Sequence, residues 1–197
     1  GPPGSGKSRF ARRLAELIGT GFRIIGAGSS SDNRDLAGTA RGWGNREPGA
    51  IPRLIVTCGT ANPIVVIDEL DKAGGSERNG DIRRTLLAML EPETSERWYD
   101  ECLQAFCDLS AVSWIATANS LEPISKPMLS RFTVVRVGLP GVDSVDPILT
   151  AMRTDIAAEF GLDPGRLPRL DDDARRALAD AVGKGRSLRS IRLALVR

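Results

Sequence analysis

The 197-residue chain carries 27 Lys+Arg against 25 Asp+Glu, 41% hydrophobic and 5% aromatic residues, and no histidine. That length suits one medium domain, or a main domain with a small satellite, and the even charge and apolar content exclude wholesale disorder and fibrous repeats. Without histidine there is no Ser-His-Asp or Cys-His nucleophile, no Cys/His zinc finger and no HExxH metal site, so chemistry falls to carboxylates, Lys, Arg, hydroxyls and backbone.

Gly1 to Ser8, GPPGSGKS, match the phosphate-binding pattern G-x-x-x-x-G-K-[ST]. Gly1, Gly4 and Gly6 let backbone N–H groups curl round phosphate oxygens with no Cβ in the way, Lys7 reaches the β- and γ-phosphates, and Ser8 can hold Mg2+. A helix is expected from about Ser8, with Phe10, Leu14, Leu17 and Ile18 at helical spacing and its positive end towards the nucleotide. A buried strand is expected to feed such a loop; the chain opens at Gly1 without one and so reads as a piece of a longer protein.

Downstream, short apolar runs alternate with helical periods, the pattern of an α/β fold. Strands are expected at Arg23–Ala27, Ile64–Ile67, Ser113–Thr117 and Thr133–Val137. A helix over Pro48–Cys58 stops at Gly59, and Asp81 caps another whose Ile82, Leu86, Met89 and Leu90 share a face until Pro92. After Pro140 the strands cease, and helices are expected over Pro147–Phe160, Asp173–Val182 and Ser187–Val196, with a domain boundary near Gly141. Cys58, Cys102 and Cys107 are odd in number and lack CxxC spacing, so they read as small buried hydrophobes in a reducing compartment, taken as the cytoplasm. No apolar run approaches the length of a membrane span, so no membrane partner is expected.

The expected strand at Ile64 runs into Asp68-Glu69. Adjacent carboxylates at a strand end cost desolvation and mutual repulsion unless a cation or a polarised water justifies them. Behind a phosphate loop the first acid supports Mg2+ and the second orients the attacking water.

The segments GPPGSGKS, PGAIPRLI, IVVIDELDK, LLAMLEPE, CDLS, IATANSLEPI and PMLSRF, in that order and spacing from Gly1 to Phe132, resemble the ATPase module of the Lon protease family, within the AAA+ ATPases. The resemblance implies a P-loop NTPase sheet domain over 1–141 and a small helical lid over 142–197. It makes Gly1, Pro2, Pro3, Gly4, Ser5, Gly6, Lys7, Ser8 and Arg9 the Walker A contacts, and Asp68 and Glu69 the Walker B pair. Asn119 becomes the sensor-1 residue that positions the lytic water, and Arg131 an arginine finger for a neighbouring subunit. GKGRSL resembles the sensor-2 motif, with Arg186 the best match and Arg189 a competitor. ATP and Mg2+ are the implied ligands, and a homo-hexameric ring acting on protein substrates the implied assembly. The substrate-gripping loop aligns on Trp43-Gly44 in RGWGNREPG, where the aromatic is kept and its aliphatic partner lost; Trp43 is either a pore contact or a locally packed ring. No segment matches the Lon peptidase, so proteolysis is not supported by this chain; some Lon-like ATPases lack the peptidase, and one attached in the parent protein or acting as a separate partner stays open. Two other readings stay open: a nucleic-acid motor or loader, for which Lys184, Arg186, Arg189, Arg192 and Arg197 offer phosphate contacts, and a small-molecule kinase, which has no use for Asn119 and Arg131.

Overall fold

The computed structural model describes residues 1–28, 33–39, 46–76, 80–168 and 170–196. The chain divides into two compact units, Lys7–Val135 and Gly1–Gly6 together with Arg136–Arg197.

The first unit contains, in order, α1 (Lys7–Ile18), β1 (Phe22–Gly26), α2 (Arg34–Ala37), α3 (Ala50–Cys58), β2 (Ile64–Asp68), β3 (Gly75–Ser76), β4 (Gly80–Asp81), α4 (Ile82–Leu90), α5 (Pro92–Ser95), β5 (Trp98–Asp100), β6 (Ala105–Cys107), β7 (Ser113–Ala116) and α6 (Lys126–Leu129). β1, β2 and β7 form a parallel sheet with β2 central, in a register pairing Ile24 with Val66 and Val66 with Ile115. Being central, β2 is covered on both faces, which is why Ile64-Val65-Val66-Ile67 is continuously apolar rather than alternating. Val65 and Ile67 point into the main core with Ile25, Leu36, Ile51, Leu86 and Met89, while Ile64 and Val66 meet Ala11 and Ala15 of α1. The pairs β3–β4 and β5–β6 are short antiparallel hairpins inserted between sheet strands.

The helix expected from about Ser8 is found as α1, and one expected strand is corrected. The packed face of α1 is Ala11 and Ala15, fully buried, with Leu14 partly covered, whereas Phe10, Leu17 and Ile18 are exposed. Small side chains let the helix axis approach the sheet closely, and the larger ones fall on the other side. Thr133–Val137 forms no strand: its backbone joins no ladder, and Val134 and Val135 are exposed. A strand exists only through a hydrogen-bonded neighbour, and none of the described strands pairs with this segment.

The second unit holds α7 (Val145–Glu159), α8 (Asp172–Gly183) and α9 (Leu188–Val196), packed round Val145, Leu149, Met152, Val182 and Ile191. Asp171 caps α8, its Oδ1 accepting the Ala174 N–H at 2.6 Å. α8 runs through Gly183, expected as its stop, and the chain turns instead at Gly185, whose φ is +71°. Among the described residues no helix is long and apolar enough to cross a membrane.

Candidate active site

The carboxyl end of β2 is where the sheet hands its chemistry to loops. Asp68 closes the strand opposite Gly26, and Thr117 follows directly on β7. α1 begins at Lys7, so the side chains of its first turn lie beside that strand end. Ser8 Oγ donates to Asp68 Oδ1 at 2.8 Å, and Lys7 Nζ donates to Asn119 Oδ1 at 3.1 Å. Four residues from three separate stretches of sequence thus form one group. With its proton committed to Asp68, the Ser8 hydroxyl turns its lone pairs away from the carboxylate, as a cation ligand must. With Oδ1 of Asn119 engaged by the ammonium, its amide NH2 supplies the donors for a phosphate oxygen or a water.

Glu69 stands next to this group in an unusual backbone conformation, φ 56° and ψ 49°, the left-handed region that costs a non-glycine residue on the order of 1 kcal/mol. Its N–H donates to Thr117 Oγ1 at 3.1 Å, and Thr117 Oγ1 donates in turn to Asp68 Oδ1 at 2.6 Å. Its carboxylate is half-exposed and accepts from Lys72 Nζ at 2.6 Å. That hydrogen bond, against partial desolvation, holds the Lys72 ammonium above its ordinary pKa. Gly28 leaves the room: a Cβ there would stand 3.2 Å from Glu69 Oε2 and 3.0 Å from Lys72 Cβ.

The donor set suits Mg2+. Among the described residues no group of three or more acids or thiols could cage a metal, but Mg2+ keeps waters and takes one or two protein oxygens plus substrate phosphates. Ser8 and Asp68 are such oxygens. The phosphate loop fits a nucleotide by a different sign: Ser5 Oγ is buried and finds no hydrogen-bond partner among the described residues.

In the second unit, α9 starts against the phosphate loop. The Leu188 N–H donates to Gly4 O at 3.1 Å, and a Cβ on Gly4, whose φ is +74°, would lie 2.4 Å from Ser187 Cβ. Glycine at position 4 is therefore required twice, by conformation and by close approach. Arg186, two residues before α9, is exposed, as is Arg189 on its first turn.

Other expected residues lie elsewhere. Arg131, just after α6, does not join the Lys7–Asp68–Asn119 group; it forms a half-exposed ion pair with Glu91. Arg9 is half-buried on α1, and Pro2 and Pro3 are exposed. Trp43 lies outside the described residues. Thr117, Lys72 and Gly28 were not legible as site residues. For Thr117 a signal was present, a hydroxyl closing the apolar run of β7 two residues before Asn119, but nothing in a single sequence says that it meets both acids.

Comparison with known proteins gives the family and the fold. Residues 1–138 match the family model described as "ATPase family associated with various cellular activities (AAA)". A Lon protease of Frankia alni is 34% identical over 201 residues, covering 100% of this chain and 22% of that protein. Lon protease 2 of Herpetosiphon aurantiacus is 38% identical over 141 residues, 72% of this chain and 17% of its own length. A peroxisomal Lon protease homolog 2 of Arabidopsis thaliana is 35% identical over 153 residues, 78% of this chain and 17% of that one. The chain thus spans about a fifth of the length of the curated relatives it matches. In fold it is similar to a RuvB mutant of Thermotoga maritima, with a TM-score of 0.59 and 16% identity over 98% of this chain and 51% of that one. A parallel sheet with a phosphate loop at the head of α1, an acid pair ending β2, and a match covering residues 1–138 place this chain in the AAA family of ATPases, with Lon proteases among its relatives.

Proposed function

We propose that this chain hydrolyses Mg·ATP as one subunit of an oligomeric ring, a homo-hexamer, and uses the energy to unfold, translocate or remodel protein substrates. The observation that carries the reading is the convergence of Lys7, Ser8, Asp68 and Asn119, with Glu69 fixed beside them, on the carboxyl end of β2. The backbone of Gly1–Gly6, through the N–H groups of its non-proline residues, cradles the phosphates, and Lys7 leaves Asn119 to meet the β- and γ-phosphate oxygens. Ser8 and Asp68 hold Mg2+, which when bound neutralises charge on the phosphates. Glu69 and Asn119 orient the attacking water by accepting from it and donating to it. Arg186, with Arg189 as the alternative, serves as the lid's cation for the phosphates. Arg131 reaches a neighbouring subunit, and Trp43 contacts the substrate in the pore. A peptidase joined to this motor or working beside it is the partner that the name of the Lon protease relatives suggests. Cys58, Cys102 and Cys107 form no disulfide, which suits a reducing compartment, and we take that compartment as the cytoplasm; relatives include mitochondrial and peroxisomal proteins.

The deciding experiment compares Lys7→Ala with Glu69→Gln in the full-length protein. Lys7→Ala is expected to lose nucleotide binding. Glu69→Gln keeps binding within a few-fold and loses turnover by at least about a hundredfold, because only the water's orientation is removed. Near-normal hydrolysis by Glu69→Gln would remove Glu69 from the role. Stimulation of the wild type by an unfolded protein supports the remodelling reading; a steeply salt-dependent stimulation by DNA would favour a nucleic-acid motor instead.

A further inference from the structure

The geometry points to Thr117 as a positioning residue that fixes the two Walker B acids relative to each other. The inference rests on the roles proposed above for Asp68 and Glu69. Thr117 is 4% exposed and sits where β7 ends, level with the end of β2: its N–H donates to Ile67 O at 2.9 Å, and its own carbonyl accepts the Leu70 N–H at 2.9 Å. Those backbone bonds hold the residue from both sides, so its hydroxyl has a set position.

That hydroxyl makes one bond of each kind. It accepts the Glu69 N–H at 3.1 Å and donates to Asp68 Oδ1 at 2.6 Å. The two bonds act on different problems. Glu69 occupies the left-handed region, which its own side chain disfavours, and the bond to its N–H anchors the peptide that must turn there. Asp68 Oδ1 also receives the Ser8 hydroxyl at 2.8 Å, so with Thr117 it is held by two donors and its carboxylate plane cannot swing. One buried hydroxyl therefore links the residue proposed to orient water, the carboxylate proposed to serve the cation, and through it Ser8. Supporting contacts of this kind around a metal or catalytic carboxylate are worth tens of fold in activity when lost.

Two variants of the full-length protein test the assignment. Thr117→Val keeps the β-branched shape and removes the hydroxyl; Thr117→Ser keeps the hydroxyl and removes a methyl. Thr117→Val is expected to lower kcat by about ten- to a hundredfold with KM for ATP within about threefold. Hydrogen exchange at the Glu69 amide, measured without nucleotide, should accelerate by about tenfold or more because its acceptor is gone. Thr117→Ser should restore both turnover and protection to near wild type, whatever its melting temperature. Three results would overturn the assignment: Thr117→Val turning over like wild type, Thr117→Ser as slow as Thr117→Val, or an unchanged Glu69 amide in Thr117→Val. Glu69→Gln assayed alongside separates the two levels. An inactive Glu69→Gln with an active Thr117→Val rejects Thr117 alone; an active Glu69→Gln rejects the water-orienting role and this inference with it.

Discussion

Asp100 has no exposed surface, yet it is a carboxylate, and its surroundings explain why the fold retains it. Oδ2 accepts the Gly49 N–H at 2.8 Å and Oδ1 accepts the Leu103 N–H at 2.9 Å. Gly49 is the residue before α3, so the carboxylate satisfies a backbone donor at that helix's positive end and ties it to the turn of the β5–β6 hairpin. Removing it strands both donors in the interior. Asp100→Ala is therefore expected to cost on the order of 3 kcal/mol in urea unfolding, and Asp100→Asn less, since one oxygen remains. A loss below about 1 kcal/mol for Asp100→Ala would mean that water replaces the carboxylate freely. The thiols give a second residue-level expectation. The Thr60 hydroxyl, hydrogen-bonded to Cys58 Sγ at 3.2 Å, lowers the Cys58 pKa despite some desolvation, while burial and the Asp100 charge raise that of Cys107. At a fixed pH near 8 a lowered pKa means more thiolate. Iodoacetamide should therefore alkylate Cys58 well before Cys107, and Thr60→Val should slow Cys58 alone.

At the scale of single elements, α4 offers the clearest test of capping. Asp81 precedes it with extended backbone, and its Oδ1 accepts the Arg83 N–H at 2.9 Å and the Arg83 side chain at 3.1 Å. Partial burial works to raise the Asp81 pKa, but the hydrogen bonds and charge of Arg83 outweigh it and hold the carboxyl below its ordinary value. A depressed carboxyl contributes stability above its unfolded pKa and loses it as pH falls through the folded one. Asp81→Ala should thus cost about 1 kcal/mol at pH 7, and the gap to wild type should close below about pH 4. A gap that stays constant from pH 7 to pH 3 would show that the carboxylate's charge contributes nothing. This helix was legible because its signals are local: a capping acid, a 3.6-residue apolar period and Pro92. So was α3, which Gly59 ends in left-handed conformation at φ 67°. The phosphate loop and the acid pair were legible for the same reason, being contiguous. The packed face of α1 and the fate of Thr133–Val137 were not, because both depend on partners. An apolar stripe such as Phe10, Leu17 and Ile18 tells only that one face is apolar, and Ala11 and Ala15, weakly apolar by any scale, took the sheet instead. Apolar alternation at Thr133–Val137 tells that a strand is allowed, and pairing decides whether it forms. Thr117 belongs with these: its hydroxyl at the end of an apolar run is visible in the sequence, but its two hydrogen bonds to residues nearly fifty positions away are not.

At the scale of the whole molecule the question is whether one chain is a complete enzyme. Lys7, Ser8, Asp68, Glu69 and Asn119 meet within the chain, but Arg131 does not join them. Its guanidinium is paired with Glu91, and both side chains are about 40% exposed (39% and 42%). Ion pairs that open to solvent are worth little, about 0–1 kcal/mol, so Arg131 can exchange Glu91 for a triphosphate at small cost. Arginine suits such an exchange, its rigid fork matching phosphate oxygens as well as a carboxylate. If that phosphate belongs to a neighbouring subunit, activity should complement between two defective proteins. Arg131→Ala supplies an intact Lys7 and Glu69 but no finger; Lys7→Ala supplies a finger but no nucleotide grip. Each alone should hydrolyse ATP at least about tenfold more slowly than wild type, as loss of one charge-stabilising group entails. Mixed at equal amounts with subunit exchange verified, they form some sites with Lys7 from one protein and Arg131 from the other, and the rate should rise above the average of the two. A rate that stays at that average for every mixing ratio would place Arg131 in the service of its own subunit. Glu91→Gln adds the control: freeing Arg131 from its resting partner should leave the complementation intact, because in this arrangement Glu91 holds the guanidinium only until a phosphate replaces it.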